Sequence, residues 1–179
     1  MAISYVAASA VVTGANPTVA IPAGYAENDL LIIVTTGTVT PSTPTGWTQR
    51  YADGSGRFIT ILTKYASSSE SSVALTQSGA STKAVMLCYS GAGSYDAVSV
   101  INTGNSTTAT TNSQTTTYAN DYVISIFART TTASTFTTPS GTTSRVNSSS
   151  TSSVNGLLIA DELQAAAGTT TARSTTLSV

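Results

Sequence analysis

Histidine is missing from this 179-residue sequence, and cysteine occurs once, at Cys88. The missing histidine excludes Ser–His–Asp triads, His-activated thiols and most zinc sites. A single cysteine excludes an intrachain disulfide, and the apolar residues around Cys88 favour a small buried core residue over a reactive thiol. No glycine-rich phosphate loop precedes a Lys–Ser/Thr pair. We therefore expect a protein that is not an enzyme and that uses no cofactor or metal.

Charged residues are also scarce. They make up 8% of the chain, against about 25% in typical soluble proteins. Seven basic and eight acidic residues leave a net charge of −1, and the basic residues form no cluster that could follow a nucleic-acid backbone. We therefore expect no nucleic-acid partner. A low net charge does little to keep copies apart, which favours packing into an assembly.

Long apolar segments are missing too. No run approaches the roughly 20 apolar residues of a transmembrane helix. The N-terminus lacks the basic region and the long apolar run of a signal peptide, since the first charged side chain is Glu27. We expect no membrane partner, and synthesis in the cytoplasm without export.

The eight carboxylates do not form a recognisable catalytic pair. Most lie in turn sequences, where such side chains commonly accept backbone N–H bonds. A glycosidase needs two carboxylates facing each other across a cleft, whereas the adjacent Asp161 and Glu162 would point to opposite faces of a strand. A Ca²⁺ site built from loop carboxylates stays an alternative, although no Asp-rich loop supports it. The eight are Glu27, Asp29, Asp53, Glu70, Asp96, Asp121, Asp161 and Glu162.

The residues that are abundant favour β-structure. Hydrophobic residues make up 40% of the chain, and Ser and Thr together roughly a third. Val and Thr suit strands, Ser, Thr and Gly suit turns, and the helix formers Glu, Lys and Arg are few. Short apolar runs between turn sequences recur at the spacing of a sandwich. We predict one all-β domain over residues 1–179, an antiparallel, jelly-roll-like β-sandwich of about nine to eleven strands.

The most hydrophobic run covers residues 30–34 and follows Asn28 and Asp29. Because it is apolar on both faces, we place it in the centre of a sheet. An Asn–Asp pair followed by an apolar strand recurs at residues 120–127. We interpret the two segments as equivalent positions in two sheets.

The only tryptophan, Trp47, follows a Pro/Gly-rich loop at residues 44–46. A single large aromatic residue commonly anchors a sandwich core, and we favour this interpretation. The alternative is a sugar-stacking platform formed with Tyr51, because residues i and i+4 of one strand share a face. Trp47 and Tyr51 are therefore the candidate residues for binding a glycan ligand.

Several other segments have a readable local pattern. Residues 53–56 indicate a hairpin, and the returning strand at 57–65 alternates, with Leu62 on one face and Ile61 on the other. Residues 96–101 predict a modest strand. Residues 155–163 fit a strand, and residues 157–167 also fit a helix. We favour the strand because the neighbouring segments are β and the run is short.

Two tracts at residues 102–117 and 130–153 consist largely of Ser and Thr. They fit long polar surface loops, and the first also fits an extended edge ribbon held by threonine contacts across strands.

The chain contains six short segments in order: ENDLLII at 27–33, PTGWT at 44–48, KYA at 64–66, YSGA at 89–92, NDYVI at 120–124 and DELQAAAG at 161–168. Taken together, these segments resemble a widespread β-sandwich family. Its members occur in tailed-bacteriophage virion proteins and in bacterial surface or carbohydrate-binding modules. The likeness covers residues 18–178, and its motifs mark strands and turns, with no ligand site among them. Members of the family usually continue into one more strand with an aromatic residue.

The resemblance implies a structural protein of the phage virion surface. We expect a capsid decoration or cement protein, a homotrimer that contacts the major capsid protein and stabilises the head. The alternative is a tail or head appendage module that binds host surface glycans. A secreted bacterial adhesin would need an export signal, and a hydrolase is the weakest alternative.

Overall fold

A computed structural model describes residues 2–53, 58–77, 82–96, 101–129, 135–151 and 155–178. The regular secondary structure in these ranges consists of β-strands alone, and every strand pairing is antiparallel. The predicted all-β, sandwich-like fold class is therefore confirmed. The described ranges contain sixteen strands, more than the nine to eleven expected, partly because the Ser/Thr-rich tracts add four strands of two to six residues.

The chain divides into two compact units, Met1–Gly93 with Ser153–Asn155, and Ser94–Ser152 with Gly156–Val179. A single domain over residues 1–179 stays a prediction. The strands of the first unit are β1 (Ser4–Ala8), β2 (Val12–Gly14), β3 (Thr18–Val19), β4 (Leu30–Gly37), β5 (Thr48–Ala52), β6 (Phe58–Tyr65), β7 (Val73–Ala74) and β8 (Thr82–Ser90). Those of the second are β9 (Thr108–Thr110), β10 (Thr115–Thr116), β11 (Asp121–Arg129), β12 (Thr135–Phe136), β13 (Thr143–Ser148), β14 (Gly156–Gln164), β15 (Gly168–Thr169) and β16 (Ser174–Ser178).

The first unit is built on a six-stranded sheet. Five strands follow the order β1-β8-β4-β6-β5, and β2 also pairs with β8. The hydrophobic strand β4 lies in the middle and is buried along its whole length. It pairs without interruption with β6 on one side and with β8 on the other. The predicted central position of residues 30–34 is therefore confirmed, and the apolar composition of both faces is its cause.

One face of this sheet carries the main core of the first unit. Side chains from β4, β6 and β8 pack against the short β3–β7 ribbon and the loops beside it. Leu62 belongs to this core, and the alternation predicted for residues 57–65 places Ile61 on the other face. The buried members are Val19, Leu31, Ile33, Trp47, Leu62, Ala66, Leu75, Ala84, Met86 and Cys88.

The second unit contains two three-stranded sheets and one ribbon. The orders are β11-β14-β13 and β12-β16-β9, and β10 pairs with β15. Phe127 and Leu158 of the first sheet pack with Phe136 of the second, and Ala109 and Leu177 extend this cluster. The strand interpretation of residues 157–163 is confirmed, since β14 is a nine-residue strand between two others.

The Ser/Thr-rich tracts contribute to these sheets. The tract at 102–117 supplies β9, which pairs with β16, and β10, which pairs with β15. The Thr110 and Ser174 hydroxyls lie 2.8 Å apart across the first pair. The edge-ribbon interpretation therefore holds for residues 108–110 and 115–116, and the loop interpretation holds for the rest of the tract. The second tract supplies β12 and β13, and its residues 130–134 and 152–153 lie outside the described ranges.

Two sequence predictions fall wholly or largely on residues outside those ranges. They are the hairpin turn after Asp53 and most of the modest strand at 96–101. Both stay predictions.

Candidate functional site

Trp47 lies in the core of the first unit. Only 9% of its surface is exposed, and it packs within the cluster formed by β4, β6 and β8. The backbone N–H of Trp47 donates to the Pro44 carbonyl at 3.1 Å, and Gly46 has a φ of +83° that other residues rarely adopt. The Pro/Gly loop therefore forms a tight turn that brings the indole inward, which confirms the core interpretation.

Tyr51 is half-buried on the opposite face of the sheet. It pairs with Ile61, whereas Gln49 pairs with Leu62 of the core face, because Arg50 is an extra residue in a β-bulge. The expectation that Trp47 and Tyr51 share a face is wrong for this reason. Burial and the charge of nearby Asp53 raise the pKa of Tyr51. A glycan contact at either residue stays a prediction, and the two rings do not form one platform.

Most carboxylates stabilise local structure, as predicted from their turn sequences. Burial raises the pKa of Glu70, but hydrogen bonds from Lys64 and Ser67 outweigh it, and the net pKa is lowered. The Glu70 carboxylate lies 2.7 Å from the Lys64 ammonium and 2.7 Å from the Ser67 backbone nitrogen.

The adjacent residues Asp161 and Glu162 bind different arginines. Arg145 Nε donates to both Asp161 oxygens at 2.9 Å, and Arg173 pairs with Glu162.

Cys88 is fully buried in the core of the first unit. Its Sγ lies 3.5 Å from an Asp29 oxygen. Burial, together with that carboxylate, raises the pKa of the thiol to about 12. The core interpretation of Cys88 is confirmed, since a thiol with this pKa is almost entirely protonated at neutral pH.

Within the described ranges, no group of three or more His, Cys, Asp or Glu side chains is placed to hold a metal ion. The same part of the chain has no helix with the length and apolar character needed to cross a membrane.

The two Asn–Asp segments form the same local turn. Asn28 has a φ of 68° and Asn120 a φ of 64°, a left-handed conformation that asparagine tolerates better than most residues. Each following aspartate accepts the N–H of the residue three positions earlier. Asp29 accepts from Ala26 at 2.8 Å, and Asp121 accepts from Tyr118.

The second of these turns carries a pair of carboxyl groups. The Thr117 N–H donates to Asp96 Oδ2 at 2.7 Å, and the carboxyl groups of Asp96 and Asp121 lie close enough to affect each other's pKa. The Thr117 backbone bond lowers the pKa of Asp96. Burial and the charge of Asp96 raise the pKa of Asp121. The two pKa values are thus moved apart, which favours the ionised form of Asp96 and the protonated form of Asp121.

Tyr118 is the most exposed large hydrophobic residue in the described ranges, with 59% of its surface exposed. Its backbone fixes Asp121, and Asp96 itself lies at the surface. We call Asp96, Thr117, Tyr118 and Asp121 the carboxyl corner. It combines an accessible aromatic ring with fixed hydrogen-bond acceptors, which are the groups that proteins use to stack on a sugar ring and to bind its hydroxyls.

Sequence reasoning did not select Tyr118. A signal was present, because Tyr118 lies between Thr117 and Ala119 in a polar segment just before an Asn–Asp turn. A tyrosine in that position has no apolar neighbours with which to enter a core. The pairing of Asp96 with Asp121 had no local signal, since the two residues lie far apart in the chain.

Comparison of the chain with protein-family models, with curated proteins and with solved structures found no match.

Proposed function

We propose that this chain is a non-enzymatic structural protein of a bacteriophage particle, a decoration or cement protein of the capsid surface. The likeness of its six segments to the virion β-sandwich family is the starting point. In this proposal its partners are the major capsid protein and further copies of itself in a homotrimer, and its location is the outside of the head.

The observation that carries the proposal is the way in which hydroxyl groups fasten the strands at the margins of the sheets. Ser4 and Ser90 meet at 2.7 Å across β1 and β8. Thr135 and Ser178 meet across β12 and β16, and the Thr176 hydroxyl donates to Thr137 at 3.0 Å. We call these contacts hydroxyl seams. Neutral hydrogen bonds are insensitive to salt and do not titrate, which suits a protein that holds a particle together outside a cell.

The decisive experiment is antibody labelling of purified source particles viewed by electron microscopy. Labelling distributed over the head is the expected result. Labelling confined to the tail would contradict a decoration role and would favour the second function below. Particles that carry no label, although the chain is made in infected cells, would contradict both.

A host-glycan-binding appendage is the second candidate function, and the carboxyl corner is the observation that favours it. This corner offers Tyr118 for stacking and two carboxyl groups whose positions are fixed by consecutive backbone N–H groups, those of Thr117 and Tyr118. An aromatic ring on which a sugar can stack contributes little to binding unless hydrogen-bonding groups also orient the sugar. The carboxyl corner supplies both.

The glycan hypothesis is tested on a glycan array with matched tyrosine variants. Tyr118→Ala should abolish binding, while Tyr65→Ala should leave it unchanged, because Tyr65 is also well exposed, at 41%, but lies in the other unit. Equal binding by the two variants, or no binding by the unmodified chain, would remove this second candidate. Far-UV circular dichroism checks that both variants fold.

A further inference from the structure

Two surface loops of the second unit lie side by side. Residues 117–120 join β10 to β11, and residues 165–167 join β14 to β15. The end of β10 pairs with the start of β15, and the start of β11 pairs with the end of β14. Because both ends of one loop are paired with both ends of the other, the two loops run next to each other.

These loops and the end of β14 expose apolar side chains. Tyr118 is 59% exposed and Leu163 is 52% exposed, and they are two of the three exposed large hydrophobic residues in the described ranges. Ala119 and the three alanines at 165–167 are exposed as well. We call Tyr118, Ala119, Leu163 and residues 165–167 the apolar patch. Exposed apolar side chains gathered in this way commonly mark an interaction surface.

A fixed negative charge borders the apolar patch. Asp96 is exposed, and its Oδ2 accepts the Thr117 N–H at 2.7 Å. That bond lowers the pKa of Asp96, so the carboxyl is ionised at neutral pH. The ionisable group beside it, Asp121, is another acid, and no lysine or arginine among the described residues forms an ion pair with Asp96.

These groups distinguish between three kinds of occupant. A second copy that docks through the same patch across a two-fold axis would bring two Asp96 carboxylates towards each other, and like charges repel. A sugar ring could stack on Tyr118, but the methyl groups of Leu163 and of residues 165–167 offer it no hydrogen bond. A protein surface with apolar side chains beside a lysine or arginine fits every group, because the cation would face Asp96 while the apolar side chains cover the patch.

We propose that the apolar patch is the face through which this chain docks on a different protein, one that presents a lysine or arginine next to exposed apolar side chains. The inference rests on the proposed capsid role, in which the different protein is the major capsid protein. It extends that role by naming the contact surface and the chemistry of the partner.

The first test is site-specific photo-crosslinking of the full chain on source particles assembled without it. Leu163→p-benzoylphenylalanine should, after irradiation, give a covalent adduct with another protein of the particle, which mass spectrometry identifies. Tyr65→p-benzoylphenylalanine is the matched control, because Tyr65 is also exposed, at 41%, but belongs to the first unit. It should give no such adduct.

The second test measures the affinity of the unmodified chain and of four variants for the same particles. Tyr118→Ala and Leu163→Ala should each weaken binding by about tenfold, because each removes an apolar side chain that the partner covers. Asp96→Asn should weaken binding and make it less sensitive to salt, since the amide keeps the shape of the side chain but not its charge. Tyr65→Ala should leave the affinity unchanged, and far-UV circular dichroism checks that every variant folds.

Each outcome decides the proposal. An adduct between residue 163 and a different particle protein, together with the weaker binding of the patch variants, supports it. It is overturned by an adduct with a second copy of this chain, by equal crosslinking from residues 65 and 163, or by unchanged affinity of Tyr118→Ala and Leu163→Ala. If Tyr118→Ala loses glycan binding and keeps particle binding, the second candidate function is favoured instead.

The unmodified chain separates failure of this inference from failure of the capsid role. If the unmodified chain does not bind the particles, the capsid role fails and the inference fails with it. If the unmodified chain and all the variants bind equally well, the inference alone is overturned.

Discussion

The turns that begin β4 and β11 have the same local structure in very different surroundings. Both place an asparagine at positive φ, and both use the next side chain to bind a backbone N–H three residues earlier. Asp29 is then buried beside the thiol of Cys88, whereas Asp121 lies beside a second carboxyl group, that of Asp96. Four consecutive residues therefore determine the shape of the turn, whereas residues distant in the chain determine which groups surround its aspartate.

The strands that follow also differ. Strand β4 lies between β6 and β8 and is buried at every position. Strand β11 lies at a sheet edge, and most of its side chains are only partly buried. An identical start therefore leads in one unit to a core strand and in the other to a partly buried edge strand.

The largest expected difference between the two regions concerns their apolar side chains. Ile33→Ala in β4 should lower the free energy of unfolding by about 4 kcal/mol, because the side chain is fully buried and leaves a cavity. Ile126→Ala in β11 should cost about 2 kcal/mol or less, since part of that side chain already contacts solvent. Urea unfolding monitored by circular dichroism measures both. Equal losses would contradict the contrast between core and edge.

The next largest difference concerns the two aspartates. Asp29→Ala should lower the free energy of unfolding by about 2 kcal/mol, because it removes a charged acceptor from the Ala26 N–H. Asp121→Ala should cost less, because it also removes the unfavourable proximity of Asp96. Thermal unfolding of the two variants and the unmodified chain checks the order. A larger loss for Asp121→Ala would show that the corner is held mainly by that side chain.

Substitution of the asparagine should lower the free energy of unfolding by the same amount in the two regions. Asn28→Ala and Asn120→Ala should each cost about 1 kcal/mol, because alanine is strained at positive φ. Asn28→Gly and Asn120→Gly are the controls and should be nearly neutral, since glycine adopts this conformation without strain. Chemical unfolding measures all four, and unequal costs of the two alanine variants would mean that the turns are not equivalent.

The smallest expected effect is the pH dependence of the second turn. Because burial and Asp96 raise the pKa of Asp121, the folded chain binds this proton more tightly than the unfolded chain. The resulting stabilisation is present at acidic pH and is lost as the pH rises through the raised pKa. As the pH rises from acidic to neutral, the free energy of unfolding of the Asp121→Asn variant should therefore fall less than that of the unmodified chain.

The matching variant Asp96→Asn should change the pH dependence of stability in the opposite direction. The pKa of Asp96 is lowered by its Thr117 backbone bond, so its contribution is present above the ordinary aspartate pKa and is lost as the pH falls through the lowered value. Melting temperatures measured across the acidic range separate the two windows. Identical pH profiles for both variants and the unmodified chain would show that the two groups do not interact.

The features predictable from the sequence were those with a local cause. The apolar run at 30–34 was enough to predict a central strand, and the alternation at 57–65 was enough to assign its two faces. The turn role of Asp29 followed from its position before a strand. In each case the deciding residues are neighbours in the chain.

The features that sequence reasoning missed depend on single-residue register or on distant pairing. The bulge at Arg50 separates Tyr51 from the face of Trp47, and no residue type specifies a bulge at that position. Repetitive Ser/Thr tracts give no register signal for β9 or β10. The contact between Asp96 and Asp121 requires the fold to bring two remote segments together.

The hydroxyl seams have one further consequence. In the Ser4–Ser90 and Thr135–Ser178 contacts either oxygen can act as the donor. A rotation of two hydroxyl groups therefore reverses the direction of each bond without moving the backbone. Each of these hydroxyl groups can therefore act as donor or acceptor, so the strand edge can hydrogen-bond to a neighbouring carbonyl, a water molecule or another hydroxyl equally well. The surface of this chain is thus adaptable in its bonding while its strands stay in place.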